Sequence, residues 1–82
     1  MKYLLFYDYV PDIAKRRTPF RPAHLDTARS YQSDGKLLMA GAFADSLDGA
    51  TFVFKATRED VETFVANDPY VQNGLVTAHR IR

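Results

Sequence analysis

The chain has no cysteine and no tryptophan, only 2 histidines, and 4 each of glycine and proline. The missing cysteines exclude disulfides, thiolate metal ligands and a cysteine nucleophile. Two histidines are too few for a histidine-rich zinc site, and no spacing motif joins His24 to His79, so no metal and no cofactor are expected. No glycine-rich phosphate loop or nucleophile elbow occurs anywhere. No apolar run approaches the roughly 20 residues that a membrane span requires. The opening stretch Met1 to Asp8 is broken by Asp8 and lacks a small-residue cleavage site, so it reads as a strand and not as a signal peptide. The expectation is a cytoplasmic protein without a membrane partner.

Excess charge is also missing. Eleven basic and 10 acidic residues leave a net charge of +1, which argues neither for nor against nucleic acid. At 82 residues the chain is expected to form one domain over residues 1–82. A domain of this size buries only about 60% of its extended surface and is marginal alone. With no disulfide or metal to help, oligomerisation is the expected source of extra stability.

What is present is hydrophobic patterning. Hydrophobic residues make up 46% of the chain and Phe and Tyr together 13%, which suits a β-rich core. Residues 3–10 place Tyr3, Leu5, Tyr7 and Tyr9 on one face and Leu4, Phe6 and Val10 on the other. Residues 13–20 read as a loop or lid. Thr18 is the expected N-cap of a helix that runs to Ser33 or Asp34, with Gly35 as its left-handed stop. Residues 36–43 and 50–56 read as strands, joined by a turn ending in Asp48-Gly49. Thr57 with Asp60 opens a second helix, buried through Val61, Phe64 and Val65. Asp68-Pro69 starts a short helical turn that Gly74 ends. Residues 75–82 form the last strand, with Leu75, Thr77, His79 and Ile81 on one face and Val76, Ala78 and Arg80 on the other.

The order β-α-β-β-α-β predicts an α+β, ferredoxin-like four-stranded antiparallel sheet. Its two helices cover one face only. Apolar residues on both faces of three strands therefore predict a homodimer with two sheets packed face to face, since monomers avoid large exposed apolar patches.

His24 is the first candidate for chemistry. It lies near a helix start, between arginines, and Asp68 is placed to reach the same end of the sheet. A histidine oriented by a carboxylate is the minimum equipment of a general base. Helix capping alone would also account for Asp68, and packing alone for Tyr70. Residues 15–29 hold five basic groups (Lys15, Arg16, Arg17, Arg21, Arg29) against one acid, Asp26, which suggests an anion-binding rim. Residues 48–55 echo the third-strand motif of RNA-recognition domains. That motif needs a basic residue and an aromatic where this chain has Asp48 and Ala50, so no nucleic-acid partner is expected.

The strand Tyr3-Leu4-Leu5-Phe6-Tyr7, the segment Arg21-Pro22-Ala23-His24-Leu25, the segment Gly35 to Ala42, and Asp68-Pro69-Tyr70-Val71 followed by Gly74-Leu75-Val76 resemble the YciI-related proteins, end to end and in order. The resemblance implies a dimeric α+β barrel of ferredoxin-like halves. It also implies an active site pairing the motif histidine and aspartate, here His24 and Asp68. The chemistry attached to the family is a lyase-type dehydrochlorination of a chlorinated hydroxyhydroquinone. The resulting expectation is a small cofactor-independent enzyme working by elimination or isomerisation on an anionic or phenolic ring. His24 would be the base, Asp68 its orienting partner, and Arg17, Arg21 and Tyr70 the substrate-binding residues. The alternative is a dimeric module that binds a small anionic or aromatic ligand without turning it over, and a purely structural dimerisation domain is the third reading.

Overall fold

The structure, a computed structural model, describes residues 1–82. Strands β1 (Lys2–Tyr9), β2 (Leu37–Ala42), β3 (Gly49–Lys55) and β4 (Val76–Ile81) form one antiparallel sheet in the order β2-β3-β1-β4. Helices α1 (Ile13–Arg16) and α2 (Arg21–Ser33) link β1 to β2, and α3 (Arg58–Asn67) and α4 (Pro69–Gln72) link β3 to β4. This is the ferredoxin-like α+β fold that the hydrophobic pattern predicts.

The core lies between the sheet and the helices. Leu5, Tyr7 and Tyr9 of β1 and Phe52 and Phe54 of β3 face Val61, Phe64 and Val65 of α3 there. Aromatic edge contacts knit it together, with Phe54 and Tyr31 each 5.2 Å from the Phe64 ring centre. Helix α3 opens on a reciprocal capping box. Thr57 accepts from the Asp60 amide at 3.1 Å, and Asp60 accepts from the Thr57 amide at 3.2 Å.

The start of α2 departs from expectation. Phe20, and not Thr18, is its N-cap, and residues 13–20 contain the short α1 in place of an open loop. Pro22 explains the shift. Capped at Thr18, the helix would need the Pro22 N–H for its first internal bond, which proline lacks. Started at Arg21, it places Pro22 in the first turn, where no N–H is required. At the other end Gly35 takes φ +74°, the left-handed turn that a side chain disfavours.

Two bulges reassign faces. In β2 the register slips between Leu37 and Met39, so Leu37 faces the core opposite Phe54 while Met39 pairs with Val53 on the open side. In β4 a second slip makes Val76 the partner of Tyr9, so Val76 packs on the core and not with Ala78 and Arg80 as alternation suggests. Thr77 is the extra residue, and its hydroxyl donates to the Asp8 carbonyl at 3.2 Å. Asp48-Gly49 is not the centre of a tight hairpin either. Gly49 already belongs to β3, and the chain reverses over residues 43–48 with Leu47 at φ +54°. Gly49 is required where it stands, because a Cβ there would lie 2.4 Å from the Tyr7 carbonyl oxygen.

No helix covers the other sheet face. It carries Leu4, Phe6, Met39, Phe43, Thr51 and Val53, with Met39 70% exposed. Arg80 lies over the Phe6 ring on the same face, 5.4 Å from its centre.

Candidate active site

The site begins with a backbone break. Asp68 ends α3 and caps α4 at φ −71°, ψ 121°. Proline clashes with an α-helical residue before it, so Pro69 holds Asp68 in the extended region and separates the two helices. The carboxylate thereby turns inward, fully buried.

Three donors meet that carboxylate. Oδ1 accepts from the Tyr70 amide at 3.0 Å and lies 2.7 Å from His24 Nδ1. Oδ2 accepts from the Tyr7 hydroxyl at 2.8 Å. A buried carboxylate is tolerated only when its oxygens are satisfied in this way, and no buried side-chain polar atom here lacks a partner. An ionised carboxylate can only accept. Against an ionised Asp68, a neutral His24 would donate from Nδ1 and keep its lone pair on Nε2.

His24 is the buried residue of α2, one turn in from its start. Tyr70 stacks flat on the imidazole at 3.9 Å between ring centres and 5° between planes. Phe52 meets the imidazole edge-on at 6.3 Å. Tyr9 packs edge-on against both Tyr7 and Tyr70 at 6.1 Å. Orientation of the imidazole thus comes from one hydrogen bond and two aromatic walls.

The phenols respond to the same environment. Burial pushes Tyr7 far above the ordinary tyrosine value, and the Asp68 charge and hydrogen bond add to it. Burial likewise raises Tyr9, helped by Tyr70 and Asp68 and opposed by Arg17. Burial raises Tyr70, while the positive charges of Arg17 and Arg21 pull the other way.

The charges of Arg17 and Arg21 thus act on the ring that stacks on His24, and both arginines line a cavity of about 460 Å³ at the start of α2. Thr18, Pro22, Leu25 and Arg29 share that wall, whereas His24, Asp68 and Tyr70 do not. The structure therefore joins His24, Asp68 and Tyr70 in one cluster and sets Arg17 and Arg21 in an adjoining recess. No three His, Asp or Glu side chains gather where they could hold a metal ion. His79 is exposed on β4, opposite Tyr7 in the ladder.

Sequence reasoning missed Tyr7 and Tyr9 as parts of the site, because alternation marks both simply as core. The available signal was their hydroxyls. A tyrosine buried by its strand position needs a polar partner, and Asp68 is the buried acceptor on the facing layer.

An antiparallel ferredoxin-like sheet with a carboxylate–imidazole pair under its helices defines a small α+β domain with acid–base potential. The chain belongs to the YCII-related domain family, whose model matches residues 1–82. No curated protein matches it in sequence. Among solved structures it is similar to the 5-chloro-2-hydroxyhydroquinone dehydrochlorinase of Burkholderia phenoliruptrix AC1100 in complex with 2,5-dihydroxybenzoquinone, at 24% identity and TM-score 0.83, covering 100% of this chain and 91% of that one. It is also similar in fold to a NIPSNAP family protein of Agrobacterium tumefaciens, at 11% identity and TM-score 0.62, covering 99% and 87%. An antibiotic biosynthesis monooxygenase gives 9% identity and TM-score 0.62, covering 99% and 92%.

Proposed function

We propose that this protein is a small acid–base enzyme acting on a compact anionic or phenolic ring by elimination or isomerisation, with His24 as its base. The observation that carries the reading is the buried 2.7 Å contact between His24 Nδ1 and Asp68 Oδ1. It leaves Nε2 as the proton acceptor and places a negative charge where the imidazolium forms.

In the elimination, Nε2 takes a proton from the ring substrate. The freed electron pair forms a double bond and expels a leaving group such as chloride. In the isomerisation, the same proton returns at another carbon. Arg17 and Arg21 hold the substrate's oxyanion or carboxylate, and Tyr70 flanks it. The dehydrochlorinase of the similar structure supports a chlorinated hydroxyhydroquinone as the first substrate to test. The open sheet face supports a homodimer as the working form, since a second sheet would cover Leu4, Met39, Phe43 and Val53.

The test is chloride release from 5-chloro-2-hydroxyhydroquinone by the parent protein, His24→Asn and Asp68→Asn. The His24→Asn amide can still donate to Asp68, so the variant removes the base without stranding the carboxylate. The expected result is release by the parent and a loss of about 10²-fold or more in His24→Asn. Equal release by both would overturn the reading. A second reading, a non-catalytic dimeric binding module, is favoured by one observation: the arginine-lined cavity does not include His24 in its wall. Binding at that cavity with no turnover of any ring acid would select it.

A further inference from the structure

The cavity beside the dyad has a cationic wall and no acidic one. Its charged lining consists of Arg17, Arg21 and Arg29. Arg29 meets Asp26 at 3.5 Å, but neither Arg17 nor Arg21 has a carboxylate within ion-pair distance. Arg17 is half-buried, and a partly desolvated guanidinium without a counter-charge is a binding group for carboxylate or phosphate.

The cavity does not end at the arginines. Leu25 and Arg29 also border a second recess of about 220 Å³, walled by Ala28, Gln32, Leu37, Met39 and Ala40. Five of its seven lining residues are hydrophobic. Arg21, Leu25 and Arg29 recur every fourth residue on α2, so one ridge of the helix runs from the cationic end to the apolar end. From Arg21 to Gln32 the helix rises about 16 Å, at about 1.5 Å per residue.

We propose that this composite groove binds an amphipathic anion, with its carboxylate on Arg17, Arg21 and Arg29 and its apolar arm between α2 and β2. The proposal rests on the anion-holding role given above to Arg17 and Arg21. It adds the third arginine and a substrate or ligand class, an acid with an apolar arm longer than a single ring substituent. The β2 bulge is part of the device, because it turns Leu37 toward the helices while leaving Ala40 small and exposed beside them.

The probes are sodium acetate and sodium octanoate, the latter below its micellar concentration, titrated into the full chain by calorimetry and amide NMR. Octanoate should bind more than tenfold tighter than acetate, since burying two methylenes already gives about that factor. It should move the amides of Ala28, Leu37 and Ala40, whereas acetate should move only those near Arg17 and Arg21. Ala40→Phe fills the apolar recess from an exposed position and should remove the octanoate advantage while sparing acetate. Arg21→Gln should weaken both. Equal binding of the two anions, with both lost in Arg21→Gln, would overturn the apolar arm and leave the anion anchor standing. Failure of both anions to bind the parent would overturn the anchor as well. Octanoate shifts confined to the open sheet face would place the tail elsewhere and overturn the groove.

Discussion

The Tyr7 hydroxyl and the His24 imidazole take opposite oxygens of one carboxylate, at 2.8 Å on Asp68 Oδ2 and 2.7 Å on Oδ1. Asp68 is thereby pinned from the sheet and from α2 at once, while its own backbone joins α3 to α4. A carboxylate fixed at both oxygens cannot rotate away from the imidazole, so the strand sets the angle at which the imidazole is presented.

Tyr7→Phe therefore tests positioning separately from chemistry. It removes one hydrogen bond to a charged group and leaves Oδ2 without its partner. The expected loss is about 1.5–3 kcal/mol of stability, measured by urea denaturation. His24 should also lose order, seen as broadened imidazole resonances. Unchanged stability would mean that the bond contributes nothing in solution.

The phenols set an alkaline limit. Tyr7 and Tyr9 are raised in the folded protein above the ordinary value of 10.0. Below that pH both folded and unfolded chains hold these protons, and stability is complete. Above it the unfolded chain releases protons that the folded chain keeps, so stability falls as pH rises, by about 1.4 kcal/mol per pH unit for each group. Part of the phenolate absorbance should then appear together with loss of the circular dichroism signal. Full phenolate absorbance from all 5 tyrosines in a still-folded protein would contradict this.

The open sheet face predicts self-association. Sedimentation at micromolar concentration should give about twice 9.3 kDa. Val53→Asp places a charge on that face without entering the core and should yield a folded monomer. The same test at Phe52 or Phe54 would be uninformative, because both rings lie under the helices. A parent that sediments as a monomer would contradict the dimer.

Much of this was legible in the residues. Alternation in β1, the Thr57–Asp60 box and the Asp68-Pro69 break each have a local cause, so the elements and the fold follow from short stretches. His24 and Asp68 could be paired because both are helix-start residues that the topology brings to one end of the sheet. What was not legible depends on long-range register. The slips at Leu37/Met39 and Asp8/Tyr9 change which face a residue occupies, and no local pattern announces an extra residue in a strand. The third donor to Asp68 was hidden for a related reason: nothing within β1 says which acceptor its tyrosines will meet.

The proposed base requires that Asp68 hold His24 with its proton on Nδ1 and its lone pair on Nε2. Nitrogen-15 NMR of the imidazole, in the parent and in Asp68→Asn, tests it most directly. Asparagine can still accept from His24 and Tyr70 at one atom and donate to the Tyr7 oxygen at the other, so the variant should fold while removing the charge. In the neutral ring of the parent, Nδ1 should show the shift of a protonated nitrogen and Nε2 that of a bare one. In Asp68→Asn the His24 resonances should move, and those of His79 should not. A parent with the proton on Nε2, or a His24 spectrum identical in the two proteins, would contradict the account.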